Sequence, residues 1–147
     1  MVAEVLATPR AEQQIDGLTR RNARVFERFL DELAAGGCRA LAYRLSGHEP
    51  VDHLCVRHLS GSLRVVVAFE TPRRAWILLV GPHDDHDPVL NVYAELYRML
   101  GVKPPSDAGR SKPPCCAEAE GQPPVLGGAL AEILDRAAKL RRTRQSR

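Results

Sequence analysis

The side chains able to do chemistry gather between positions 53 and 93: His53, His58, His83, His86, the arginines Arg57, Arg64, Arg73 and Arg74, and Tyr93. Imidazole titrates near neutrality and suits proton transfer, and guanidinium grips carboxylate or phosphate through a planar fork. The run His83-Asp84-Asp85-His86-Asp87 has the ligand types of a transition-metal site. Its consecutive spacing on one loop lacks the i, i+4 placement that fixes ligand geometry, so no metal and no cofactor are expected. Within the run, His86 is read as shaping the loop and Asp87 as capping the helix that follows. The cysteines Cys38, Cys55, Cys115 and Cys116 form no paired C-x-x-C motif, and reduced thiols of a cytosolic protein are the expectation.

Strands must position most of these groups. Around Asp52 to His58 the residues alternate, placing Leu54, Val56 and His58 on one side and His53, Cys55 and Arg57 on the other. A turn at residues 59–62, a strand over 63–70, a turn over 71–74 and a strand over 75–80 complete an antiparallel meander. Arg64 is a strand arginine that could simply pair with Glu70, and Arg73 and Arg74 fall in a turn, where charge is normally solvated. His83 opens the loop after the last strand. Asp87-Pro88 predicts a helix through Leu100, closed by Gly101, with Tyr97 as a packing residue.

Ahead of the meander, Val2, Val5 and Leu6 form a β-prone start. Thr8-Pro9 is an N-cap followed by proline, opening a helix faced by Ala11, Ile15 and Leu18. Thr19 can cap a second helix in which Ala23, Phe26, Leu30 and Leu33 recur at helical spacing until Gly36-Gly37 stops it. Two helices in a hairpin, a small antiparallel sheet and a closing helix define an α+β domain over residues 1–101.

The chain has 147 residues, a formal net charge of +3, 44% hydrophobic and 5% aromatic residues, which fits one modest domain and excludes a two-domain enzyme. Its charge is uneven: residues 1–101 hold 12 arginines, no lysine and 13 acids, whereas residues 102–147 hold 9 bases and 5 acids. Six of the 11 prolines also lie beyond Gly101. Residues 102–127 are therefore expected to be a disordered linker, and 128–147 a basic amphipathic helix with Leu130, Ile133, Leu134 and Ala137 on one face. No apolar run approaches the roughly 20 residues of a membrane span. Residues 1–9 carry Glu4 and no basic leader, so a cytoplasmic location is expected.

The element order, with Val56-Arg57, Leu63-Arg64-Val65-Val66, Leu79-Val80-Gly81 and Asn91-Val92-Tyr93, resembles the RelE/ParE toxin superfamily of type II toxin–antitoxin systems, in its HigB-like and phage-derived branch. The resemblance covers roughly Val2 to Gly101. It implies an mRNA endonuclease working on the ribosome without metal, in which the ribose 2′-oxygen attacks the adjacent phosphorus. The other branch of the fold implies an inhibitor of DNA gyrase, and a third reading is an inactive toxin-derived interaction module. Carried over by position, Arg64, Arg57, His83 and Tyr93 become the catalytic set, with Arg73, Arg74 and His53 assisting substrate binding. Cys55 departs from the pattern, standing where some ribosome-dependent members carry a second base. A cognate antitoxin, with ribosome and mRNA or with gyrase, is the implied partner, and no membrane is.

Overall fold

The computed structural model describes residues 3–45, 50–84, 87, 91–103 and 113–145, with side chains described as far as residue 138. Within these, β1 (Glu4–Ala7), α1 (Pro9–Asp16), α2 (Arg20–Gly36), β2 (Tyr43–Arg44), β3 (Leu54–Ser60), β4 (Leu63–Thr71), β5 (Arg74–Pro82), α3 (Val92–Leu100) and α4 (Ala129–Gln145) make an α+β domain. Its single sheet has the order β1-β5-β4-β3-β2. The sheet is mixed rather than antiparallel, because β1 runs parallel to β5, with Val5 opposite Ala75 and Ala7 opposite Ile77. The physical reason is connectivity: α1 and α2 carry the chain back over one face, so the meander can begin on the far side and finish beside β1.

Both N-terminal helices begin where their caps predict. The Thr8 hydroxyl accepts from the Ala11 amide, with Pro9 at the first helical position, and the Thr19 side chain accepts from the Asn22 amide. Helix α2 ends at Gly37, whose φ of 59° belongs to the left-handed region that favours glycine. In contrast, α3 starts later than expected. Its cap is Asn91, whose side chain accepts from the Tyr93 and Ala94 amides, so Asp87 does not cap it.

Strand alternation divides the core into two layers. On the face under α1 and α2, Phe26, Phe29 and Leu33 pack on Cys55, Val65, Val67, Phe69 and Ile77. On the other face, Leu96, Leu100, Leu130, Ile133 and Ala137 of α3 and α4 pack on Leu54, Val56, Val66, Ala68 and Leu79. Thus α4 is part of the core. An ion pair between the two helical layers, Arg10 Nε to Glu95 Oε2 at 2.6 Å and Nη2 to Oε1 at 3.1 Å, ties α1 to α3 at largely buried side chains.

The cysteines correct the expectation of reduced thiols. Cys38 is bonded to Cys116 and Cys55 to Cys115, with Cα atoms 5.6 Å and 5.7 Å apart. Pairing of this kind belongs mainly to oxidising compartments, so the cysteines no longer support a cytoplasmic location. The expected linker divides as well. Residues 104–112 lie outside the described residues, but 113–127 are held in place: the Arg44 amide donates to the Pro113 carbonyl and the Leu126 amide to the Phe69 carbonyl, and Cys115 is buried. Among the described residues no helix is long and apolar enough to cross a membrane.

Candidate functional site

Arg64 is the second residue of β4, at the end of the sheet marked by the β3–β4 turn. Its cross-strand neighbours are His58 of β3 and Gly81 of β5. The His58 pairing follows from uninterrupted alternation, through Leu54 with Ala68 and Val56 with Val66, but the Gly81 pairing does not. Ser60 pairs with Leu63, yet His58 pairs with Arg64, so Leu59 is an extra residue in β3. Likewise Val66 pairs with Leu79 while Val67 pairs with Ile77, which makes Leu78 an extra residue in β5. Each bulge reverses the alternation beyond it. The first lies beyond His58, which stays on the side of Leu54 and Val56. Without the second, His83 would continue the alternation of Ile77 and face α1.

Both histidines thus join Arg64 on the face of α3. The His83 ring meets the Tyr93 ring edge-on with centroids 4.8 Å apart, and the His83 amide donates to the Ser62 carbonyl at 2.9 Å. On the other flank the Tyr43 hydroxyl and His58 Nε2 are 3.1 Å apart. Asn91 caps α3 so that Tyr93, in its first turn, points back at the sheet end. The start of α3 packs closely on the sheet end here, since a Cβ on Gly81 would be in ordinary contact with the Val92 side chain at 3.5 Å. The site is thus a half-open cluster of Tyr43, His58, Arg64, His83 and Tyr93, drawn from four strands' ends and one helix.

Two of its polar atoms are buried without a hydrogen-bond partner, Arg64 Nε and the Tyr93 hydroxyl. Elsewhere Arg64 is engaged at Nη1, which donates to the Gly61 carbonyl at 2.9 Å. Burial pushes the Tyr93 phenol well above its ordinary pKa; the nearby Tyr43 hydroxyl pushes the same way, and the Arg64 charge opposes both. Tyr93 therefore keeps its proton at any physiological pH and can donate a hydrogen bond. Two adjacent buried donors, one of them cationic, fit an anion with at least two acceptor oxygens. Flanking imidazoles could move protons to and from such an anion.

The arrangement unites three of the four residues expected to be catalytic, Arg64, His83 and Tyr93. Arg57 is elsewhere: it lies on the α2 face, where it pairs with Glu32, donates to the Ala40 carbonyl at 2.9 Å and sits 5.4 Å over the Phe29 ring. Arg73 and Arg74 belong to the opposite end of the sheet, and Arg74 pairs there with Glu4 and Glu70. His53 does not share a strand face with Arg57. It ends a short 3-10 turn ahead of β3, within 2.7 Å of Asp52, on a cavity of about 530 Å³ bounded by the end of α3 and the start of α4. Asp85 and His86, part of the acidic run after His83, lie outside the described residues. Among the described residues no group of His, Cys, Asp and Glu has metal-site geometry.

Sequence reading missed Tyr43 and His58. Tyr43 sits in a two-residue strand with no periodicity to show it. His58 received no role from the sequence, although its alternation with Leu54 and Val56 puts it on the α3 face; the structure leaves it exposed beside Tyr43. The chain matches no protein-family model, and no curated protein matches it.

Proposed function

We propose that the protein is a metal-independent endoribonuclease with a RelE-like architecture, cutting RNA by attack of a ribose 2′-oxygen on the adjacent phosphorus. The observation that carries this reading is the pair of unpartnered buried donors, Arg64 Nε and the Tyr93 hydroxyl, set between two histidines. Arg64 holds the scissile phosphate and offsets the charge that gathers on its equatorial oxygens. Tyr93 donates to a phosphate oxygen. One imidazole removes the 2′ proton and the other protonates the departing 5′-oxygen, so a 2′,3′-cyclic phosphate and a free 5′-hydroxyl result and the proton count balances.

On this reading the partner is single-stranded RNA, on the ribosome or free, and an antitoxin segment would act by covering the mouth of the cluster. The test is incubation of the full chain with a long transcript in a chelating buffer. Wild type should cut. Arg64→Ala and His83→Ala should each lose on the order of 100-fold or more in rate, whereas Arg57→Ala, on the other face, should cut normally. A transcript left whole by wild type, or cut equally by Arg64→Ala, contradicts the proposal.

A further inference from the structure

Helix α2 exposes Arg20, Arg21, Arg24 and Arg28, and Glu27 is the one acid among residues 20–30. Arg20 and Arg21 occupy the first two helical positions, and the first turn holds no acid. Cations are disfavoured there because the unpaired amides already make that end positive. None of the four has an ion-pair partner among the described residues. Self-repelling arginines at the wrong end of a helix dipole work against stability, so an external anion is the natural source of compensation.

Their place in the fold says which anion. The far end of α2 is fixed at the β4–β5 turn: the Ala3 amide donates to the Ala34 carbonyl at 2.7 Å, and Gly37 lies against the Pro72 carbonyl. Seventeen helical residues span about 25 Å, close to the roughly 30 Å of a nine-residue strand. Helix α2 therefore runs the length of the sheet and brings Arg20, Arg21 and Arg24 to the end that carries Arg64. The preceding helix agrees, since Gln14 of α1 is bonded to the Val80 amide beside Gly81. Residues 1–101 carry no general positive field, so this row is a local concentration of charge at the same end of the sheet as the cluster, on the opposite face.

We infer that Arg20, Arg21 and Arg24 of α2, with Arg28 behind them, form a docking surface for the backbone phosphates of single-stranded RNA flanking the one held at Arg64. The choice of RNA rests on the endoribonuclease reading; the surface itself rests on charge and position. The test uses the full chain and a fluorescent 12-nucleotide 2′-O-methyl oligoribonucleotide, which lacks the attacking hydroxyl, titrated by polarisation at several salt concentrations. The triple variant Arg20→Gln/Arg21→Gln/Arg24→Gln should bind at least 10-fold more weakly at low salt. Its log–log salt slope should fall by about 2, at roughly 0.7 per lost single-strand contact. Arg39→Gln/Arg98→Gln, exposed charges at the far end, should change affinity less than 2-fold.

Unchanged affinity and slope in the triple variant overturn the inference, as does an equal loss in the far-end pair. Competition by poly-glutamate as effective as by RNA would assign the surface to an acidic protein and also overturn it. Circular dichroism should be the same for all three proteins, because every substituted side chain is exposed. The two proposals separate cleanly. RNA bound through α2 but never cut contradicts catalysis alone, and normal cutting with unaltered binding in the triple variant contradicts the docking surface alone.

Discussion

Tyr93 and Tyr97, one helical turn apart on α3, both have their phenol pKa raised by burial. The sign of the effect on stability follows. Below about pH 10, the ordinary phenol value, folded and unfolded chains both keep these protons. Above it the unfolded chain releases protons that the folded chain retains, so stability falls as pH rises. Tyr93→Phe removes its share of that slope. The urea midpoint of the variant should therefore drop less between pH 9 and pH 11 than that of wild type, and an identical drop would contradict the buried phenol. Single residues also show what sequence could reveal. Arg64, His83 and Tyr93 were legible as chemistry-bearing types near turns and a helix start. Arg57 misled because its alternation placed it correctly on the other face, but nothing local showed that Glu32 and Phe29 would engage it.

At the scale of elements, the bulge at Leu78 in β5 does most to make the site, because it turns His83 onto the face of α3, and α1 holds it. Leu78 has no partner on β4, and its carbonyl accepts from the Thr8 hydroxyl at 2.8 Å, while the Val80 amide donates to Gln14 Oε1 at 2.8 Å. Side chains of the cap and of α1 thus replace the strand that β1 stops short of providing. Thr8→Val leaves the Leu78 carbonyl and the Ala11 amide unpartnered in a buried place and should destabilise by about 2 kcal/mol in urea unfolding. Thr8→Ser, which keeps the hydroxyl, should retain most of the stability; equal losses in both would contradict the hydrogen-bonding role. Helices α1 and α2 and the meander were legible because caps, glycine stops and periodicity are local signals. The parallel pairing of β1, the short β2 and the bulge in β5 were not, since each depends on contacts between residues distant in the chain.

Across the whole molecule, adjacent Cys115 and Cys116 reach two different elements, Cys55 in β3 and Cys38 after α2, and so fasten residues 113–126 to one edge of the sheet. Helix α4 follows that strap and packs on α3, where Arg136 donates to the Leu100 carbonyl, so the strap supports the helix that carries Tyr93. A bridge spanning 78 positions is worth about 4 kcal/mol by the loop-entropy model, and the second adds less once the first has closed. Adding a reductant should lower Tm by on the order of 10 °C, and peptide mapping of the oxidised protein should recover Cys38–Cys116 and Cys55–Cys115. An unchanged Tm, or other pairings, would contradict the strap. Composition had suggested a free basic tail; it could not show that two cysteines inside a proline-rich stretch meet partners 60 and 78 positions away.

The central claim is that Arg64, Tyr93, His58 and His83 close on one phosphate and cut the strand with its own 2′-hydroxyl. Mass analysis of the ends produced from a short single-stranded RNA in chelating buffer, beside a 2′-O-methyl copy of the same sequence, tests it most directly. The account predicts a 2′,3′-cyclic phosphate on one fragment, a free 5′-hydroxyl on the other and an intact 2′-O-methyl copy; an uncut RNA, or cleavage of the 2′-O-methyl copy, would contradict it.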